Sequence, residues 1–542
     1  MRTPIALYVG ALVARLVAAA LFPDPAYPDS FYYVDVARQL AAGHGFNVDF
    51  IWIFPEIGGA IPSSPVLPIP SNAHWMPLAS LVQVPFIWLL GPTAFASAVP
   101  FAIFGATAAP LTWLIARDAG APRIVQLGAG ILIAFPALSF VYMVQPDNFS
   151  LYQPLVAGSL WLAARGLRGS RGSFVAAGLL AGIATLSRND GVLVLAVLGA
   201  VWLWDRLRAY VGFGDEGPRP PRIPFVAALG AVALFALAVG PWYARQLATF
   251  GSLSPSTASG KVLFIRDIGE WNSITIPATL DHLLGMGIGP LLLTRAGGFV
   301  AAAFIFSVLV GAIVLVPFGL IGTWVRRRDA TFGPYFGYAI LLFTFSALVS
   351  AIHVPGGTFI HSAVALAPHG YVLALLGVVA GIEWMAARRR AWDVRGASRV
   401  FVSAAVGLGV AASIFGALTV HTTWDEKRQR MQDVAAALDA AGSPVTDRLM
   451  SIDASGYRYW SGRGGVVLVN DPLETVQQVA EAYDIRWLIL ERDDSVPAAE
   501  AILVDHQRPG WVGPPVLERE DVGVYPVCTE AGDPRCASAV RR

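Results

Sequence analysis

Long apolar runs separated by short polar breaks dominate the chain. A run of about 20 apolar residues is long enough for a helix to cross roughly 30 Å of hydrocarbon. The pattern predicts such helices near residues 4–22, 94–116, 123–143, 150–167, 173–187, 190–205, 225–247, 299–325, 333–352, 359–386 and 399–420, about eleven in all. The runs 173–187 and 190–205 are short and also fit one bent hairpin. Residues 77–91 are apolar but short, and are read as a helix lying at or dipping into the outer membrane surface.

Basic residues orient this pattern. Arg117 and Arg123 flank one turn, and Arg165, Arg168 and Arg171 another. Arg206 and Arg208 open the polar loop GFGDEGPRPPR, Arg326–Arg328 end the eighth run, and Arg388–Arg390 end the tenth. Lys and Arg accumulate on the cytoplasmic side of membrane proteins. With the N-terminus inside, every one of these clusters falls there; counting 77–91 as a full span would turn the later ones outward. The opposite side then holds residues 23–91, the turns at Pro146-Asp147-Asn148 and Arg188-Asn189-Asp190, residues 250–298, the turn around His353, and everything after about residue 421.

That tail reads as soluble. Residues 425–441 have a helical pattern ended by Gly442, while 448–453 and 486–491 read as strands. Asp471-Pro472-Leu473-Glu474 has the form of a helix start, with Asp as N-cap. The expected architecture is mainly α: a polytopic transmembrane bundle over 1–420, with 23–91 as its first outer loop, and a small extracytoplasmic α/β domain over 421–542. The expected location is the cell (plasma) membrane.

Composition agrees. The chain of 542 residues is 55% hydrophobic and 14% charged, with mean hydropathy +0.59. Soluble domains carry about 25% charged residues, so a wholly soluble protein is excluded. The net charge of +1 gives no sign of a nucleic-acid partner. Cys528 and Cys536 either close a small disulfide loop, as an extracytoplasmic tail would allow, or remain two thiols. The N-terminus has signal-peptide features (Arg2, an apolar run, then Ala18-Ala19-Ala20), but Arg15 interrupts the run and further spans follow, so a retained first span is expected.

Polar residues recur at the outer ends of the runs: Asp29, His74, Asp147, Arg188, Asp190, Arg245, His353 and His361. Ionisable groups near lipid are costly unless paired or solvated, and their shared side points to a lined cavity. Arginine forks suit a phosphate, and a carboxylate suits a general base. Each also has a plain structural reading. Asp29 would cap a helix over 30–42 ended by Gly43. Asp35 would pair with Arg38 and Gln39 on that helix face, and Asp24 would serve a turn. Arg188 would pair with Asp190, Arg245 would snorkel to the interface, and Asp147 would cap the next helix. The histidines lack zinc-like spacing. No metal is assigned; a divalent cation between Asp29 and Asp147 stays open, since oxygen ligands can come from distant loops.

On these residues the chain resembles the GT-C superfamily of membrane glycosyltransferases, and most the branch of protein O-mannosyltransferases and the lipid A aminoarabinose transferase. Pro28-Asp29-Ser30-Phe31-Tyr32-Tyr33, running on to Gly43-His44-Gly45, resembles the family's first-loop pattern. His74-Trp75-Met76-Pro77-Leu78 resembles a later first-loop motif, with Trp-Met where the family has Lys-Pro. Asp147 matches a second-loop acidic position. Leu186-Ser187-Arg188-Asn189-Asp190-Gly191 resembles Leu-Thr-Arg-Pro-x-Gly. Pro241-Trp242-Tyr243-Ala244-Arg245, followed by Phe250-Gly251, resembles Pro-Trp-x-x-Arg-Asn…Phe-Gly, with Gln246 for the Asn.

The resemblance implies inverting transfer of a sugar from a polyprenyl-phosphate donor to an acceptor hydroxyl (of a glycan, lipid or protein) at the extracytoplasmic face. It makes Asp29 the catalytic carboxylate, with Arg188, Arg245, His74, Asp147, Tyr33 and His361 binding donor phosphate or substrate. Two rivals stand beside it. A transporter or flippase would show paired ionisable residues near the midplane and repeated halves, whereas these residues sit at run ends, Arg15 excepted. A non-catalytic membrane subunit would leave Asp29 unsupported.

Overall fold

The computed structural model describes residues 2–52, 59–211, 221–389, 392–494, 496–528 and 536. Most of the polar loop after Arg208, together with Arg390, lies outside them. The chain is mainly helical and divides into two compact units. One gathers Met1–Asp24, Met76–Tyr243 and Leu293–His421; the other gathers Pro25–Trp75, Ala244–Leu292 and Thr422–Arg542.

The first unit is helical. Among the described residues, six helices of the chain are long and apolar enough to cross a membrane, or seven with the bent pair Arg123–Ala134 and Ala137–Val144. Helices also occupy the other expected runs, but Arg171–Ser187 has 17 residues and Gly333–Leu348 has 16. At 1.5 Å per residue each is about 25 Å long, short of the hydrocarbon thickness.

Two runs expected to be continuous are broken. In 123–143 the chain turns by 51° between the two helices, where Pro136 follows Phe135 and Ala137 takes φ 52°. Ser413 donates to the Phe135 carbonyl at 2.7 Å, satisfying a group the break releases. In 299–325 the helix Ile288–Ile305 gives way to a wider turn at Phe306–Val310, and helix resumes at Val316–Arg326 with a proline in its first turn. Tyr371 donates to the Val310 carbonyl at 2.8 Å.

Helix Val316–Arg326 packs on Ala367–Ala386 through two glycines. A Cβ on Gly322 would meet the Leu373 carbonyl oxygen at 1.9 Å, and one on Gly377 would meet that of Phe318 at 1.9 Å. Small residues let helix backbones approach this closely in lipid, where dispersion contacts drive association.

The second unit holds a six-stranded sheet. Its strands are β2 (Phe50–Ile51), β4 (Arg448–Ser451), β5 (Gly465–Val467), β6 (Ile485–Glu491), β7 (Leu517–Glu518) and β8 (Val522–Pro526), and the order is β2-β5-β4-β6-β8-β7. The pairs β2–β5, β5–β4 and β4–β6 are parallel, while β8 runs antiparallel to β6. A two-stranded ribbon, β1 (Asn47–Val48) with β3 (Ile69–Pro70), lies outside this sheet. The expected tail strands are present, and residues 425–441 lie at the end of the 47-residue helix Val394–Ala440.

Strand β2 comes from the first polar segment, more than 390 residues before β4, so residues 25–75 pack with the tail. Asp471 is not the N-cap of the next helix. That position is Pro472, and the helix is Leu473–Ala482. The Asp471 carboxylate accepts instead from Ser273 at 2.7 Å, from the Ile274 amide at 2.7 Å and from the Thr275 hydroxyl. It thereby fixes residues 244–292 to the sheet. A disulfide joins Cys528 and Cys536.

Candidate active site

In the second unit the focus is Asp29. Its helix is Pro28–Ala41, with a proline at the start and Tyr27 as N-cap, so Asp29 lies within the first turn and is not the cap. Ser30 ties the entry: its hydroxyl accepts from the Ala26 and Tyr27 amides, both at 3.1 Å, and donates to the Tyr27 carbonyl at 2.7 Å. A first-turn carboxylate sits at the positive end of the helix dipole.

Asp29 Oδ1 accepts from Trp75 Nε1 at 2.9 Å. The Trp75 ring stacks on Tyr32 with centroids 4.1 Å apart, and Tyr32 Oη accepts from the Asn72 amide at 2.6 Å. Asn72 takes φ 68°, a left-handed conformation that Asn tolerates. Its side chain donates to the Trp75 carbonyl at 3.1 Å. Gln246 donates to the Asn72 carbonyl at 2.7 Å, and Arg245 Nη1 donates to Gln246 Oε1 at 2.7 Å. An unbroken series of short contacts therefore runs from Arg245 to Asp29.

The Arg245 guanidinium lies 5.3 Å from the Phe46 ring centre and 5.1 Å from that of Phe250, a cation–π setting. His74 lies edge-on to Trp75 at 5.0 Å and to Trp271 at 5.5 Å. Tyr33 is 1% exposed and meets Tyr32 edge-on at 6.1 Å.

Asp35 faces Arg38 on its own helix, as expected, and also Arg458 from the tail. Gln39 donates instead to Asp49 at 2.9 Å, and Arg38 lies over the Tyr459 ring at 4.7 Å. Arg458 lies 3.9 Å from Asp35 and 2.7 Å from Asp49. Burial pushes the Asp35 carboxyl up to about 6; Arg458 opposes the rise and Asp49 adds to it.

In the first unit the focus is Asp147, which is fully buried. The next helix is Phe149–Leu167 with Asn148 as its N-cap, so Asp147 stands one residue outside the cap. Its Oδ1 accepts from the Asn148 amide at 2.5 Å. His361 Nδ1 lies 3.7 Å from Asp147 Oδ2 and 3.2 Å from Asn148 Oδ1, and its ring stacks on Phe149 at 4.1 Å. His353 is also buried.

Arg188 pairs with Asp190, with Nε to Oδ1 at 3.0 Å. It also donates through Nη2 to the Thr358 carbonyl at 3.3 Å, and Ser362 donates to Asp190. The short helix Thr358–Ala363 thus carries Thr358, His361 and Ser362, and so joins the Arg188 turn to the Asp147 turn. Arg15, fully buried in the first helix, braces the latter. Its Nη1 donates to the Met143 carbonyl at 3.0 Å and to Ser150 Oγ at 3.1 Å, on either side of Asp147. A charge in an apolar segment is costly unless it makes such bonds.

Of the residues singled out from the sequence, Asp29, His74, Tyr33 and Arg245 thus gather in one unit, and Asp147, Arg188 and His361 in the other. Trp75, Asn72 and Gln246 were not foreseen as part of the first group, nor Thr358 and Ser362 as part of the second. Asp147 and His361 are the pair here able to offer a carboxylate oxygen and an imidazole nitrogen to a cation. Elsewhere, oxygens of Glu491, Asp493 and Asp494 lie within 4.8 Å of one another, but Arg430 already pairs with Glu491 at 2.7 Å.

Residues 73–242 match the family model of dolichyl-phosphate-mannose-protein mannosyltransferases. No curated protein sequence matches the chain. Among solved structures, ArnT from Cupriavidus metallidurans bound to undecaprenyl phosphate superposes with TM-score 0.55 at 13% identity, over 98% of this chain and 99% of that one. The apo oligosaccharyltransferase of Archaeoglobus fulgidus gives TM-score 0.55 at 13% identity, over 93% of this chain and 72% of that one. The chain shares the fold of these two proteins. The structural likeness carries the fold, and the family match is confined to residues 73–242. That segment includes His74, Trp75, Asp147 and Arg188; Asp29 and Arg245 lie outside it.

Proposed function

We propose that this GT-C protein moves a sugar from a polyprenyl-phosphate donor to an acceptor hydroxyl, with inversion, at the extracytoplasmic membrane face. The observation that carries the reading is the hydrogen-bonded series from Arg245 to Asp29, which holds one carboxylate in a fixed direction beside aromatic walls. Asp29 takes the acceptor's proton as its oxygen attacks the anomeric carbon. The transition state is oxocarbenium-like, and the bond to the donor phosphate breaks on the opposite side. Arg188 and Arg245 receive the departing phosphate, with His74, Tyr33, Asp147 and His361 shaping donor binding. Phosphate is a fair leaving group, so no acid is required. A divalent cation enters this reading as a ligand of Asp147 and His361, and chelation tests for it.

The lipid donor is supported by the ArnT complex, which holds undecaprenyl phosphate, and by the family of the matched segment. The extracytoplasmic face rests on the arginine clusters, on an eleven-span topology, and on the Cys528–Cys536 disulfide, a bond that persists in oxidising compartments. The same reading places the protein in the cell membrane, with a catalytic part over 1–420 and a tail over 421–542 outside.

The test uses purified protein in lipid vesicles with a panel of labelled polyprenyl-phosphate sugars and crude envelope acceptors. Label recovered on an acceptor supports the reading. Label that crosses the bilayer while still on its lipid favours a flippase.

A further inference from the structure

We propose that the C-terminal part of the second unit is a positioning device for Asp29, in which the helix Ala454–Ser461 clamps the helix Pro28–Ala41 and Arg458 is the principal tie. The inference rests on the reading of Asp29 as the base, and deepens it by giving the tail a task.

The carboxyl edge of the sheet is braced by the chain's own ion pairs. Parallel α/β sheets bind ligands beyond the carboxyl ends of their strands, at the point where the connections diverge. Here that point lies between β4 and β6, because β5 and β6 flank β4 on opposite sides. Asp453 follows β4 and Glu491 ends β6, and both are buried. The chain's own cations occupy this edge. Lys427 pairs with Asp453 at 2.8 Å, and Arg430 with Glu491 at 2.7 Å. Tyr457 Oη donates to Glu491 at 2.7 Å. Breaking such buried pairs one-sidedly is strongly unfavourable, so they brace the ends of β4 and β6 rigidly.

That rigidity passes to the clamp. Asp453 caps Ala454–Ser461, accepting from the Gly456 amide at 3.0 Å and from Ser455 Oγ at 2.8 Å. Burial acts to raise the Asp453 carboxyl, but Lys427 and these bonds hold it below the usual carboxylate range. Ser455 Oγ also lies 3.4 Å from the Pro28 carbonyl, the peptide group that carries the Asp29 nitrogen. Phe31 packs on Tyr459 at 5.4 Å, and Arg38 lies over the same ring. Arg458 Nη2 donates to Asp49 at 2.7 Å, and Asp49 accepts from Gln39 at 2.9 Å. Gln39, through Asp49, and Phe31, against Tyr459, thus tie the Asp29 helix to Ala454–Ser461. The Asp49 carbonyl accepts from the Gly465 amide at 3.0 Å, at the edge of the sheet.

Arg458→Gln removes the charge but keeps a polar side chain. Amide exchange of residues 28–41 is expected to accelerate about tenfold on loss of this charge-assisted tie, with β4 and β6 as protected as in wild type. In transfer assays kcat is expected to fall about tenfold with donor KM within about twofold, because an oriented base acts in the transition state. Arg458→Lys should recover part of kcat. Wild-type exchange over 28–41 in Arg458→Gln would overturn the proposal, as would a raised KM at unchanged kcat, which would make Arg458 a donor contact. Should Arg458→Gln lose protection in the sheet, Tyr459→Ala carries the same readouts. Absence of transfer by wild type would count against the proposed reaction, while the exchange arm still decides the clamp.

Discussion

Asp35 and Asp49 face the same guanidinium, yet removing their charges should move stability in opposite directions. The Asp35 carboxyl is 14% exposed and is raised from 3.8 to about 6 in the folded chain. Between those values the folded state binds more protons than the unfolded state, so stability falls as pH rises from about 4 to about 6. A shift of about 2 units corresponds to roughly 3 kcal/mol at neutral pH. Asp35→Asn does not titrate, so the variant should lose this decline and gain up to about 3 kcal/mol at pH 7. For a unit of this size that is an increase in Tm of up to roughly 6–12 °C. Asp49 holds Arg458 at 2.7 Å, and Asp49→Asn should cost about 1–3 kcal/mol by weakening a charge-assisted bond. The assay is thermal unfolding of the full chain in detergent from pH 4 to 8, followed by Trp fluorescence. A destabilised Asp35→Asn at pH 7, or a pH profile like that of wild type, would refute the reasoning.

Trp75→Phe keeps a ring against Tyr32 but removes the donor to Asp29; we expect kcat to fall about tenfold, and single-turnover transfer checks it. Arg15→Met should free the Asp147 turn, lowering Tm and speeding amide exchange around Asn148 and Ser150, because the turn loses both of its braces; unchanged exchange there would remove Arg15 from this role. Asp190→Asn should raise the donor KM, since Arg188 loses the carboxylate that holds it at 3.0 Å, and KM across a donor series measures it. Without reductant, Cys528 and Cys536 should resist alkylation.

Much of the architecture was legible because lipid imposes a simple demand. Apolar runs of sufficient length become helices with their backbone groups satisfied internally. The runs at 225–247 and 359–386 could be read directly. The breaks were not legible from hydropathy. Phe135-Pro136 and residues 310–315 are as apolar as their surroundings, and the carbonyls of Phe135 and Val310 are satisfied by Ser413 and Tyr371, far away in sequence. The tail strands 448–451 and 485–491 announced themselves by composition. Strand β2 did not, because two residues carry no periodicity and its partner β5 lies over 400 positions later.

The site shows the same division. Asp29, Asp147, Arg188 and Arg245 were visible as charges at the ends of apolar runs. What fixes them was not: Trp75 reads as one more aromatic, and Gln246 as a neutral replacement for Asn. Asp35 reads as a helix-surface acid because i, i+3 spacing fits Arg38. Its actual setting depends on Arg458, which only the folded tail brings near. A signal was available in the unusual His74-Trp75 pair, where an indole N–H replaces a more ordinary polar group.

Asp29 is the proposed base of the sugar transfer. Single-turnover transfer from a labelled polyprenyl-phosphate sugar, comparing wild type with Asp29→Asn at equal donor occupancy, tests it most directly. Wild type is expected to give product of inverted anomeric configuration, and the variant a rate at least about 100-fold lower, the scale of a lost general base. Transfer by Asp29→Asn at the wild-type rate, or retained configuration in the product, would contradict the proposal.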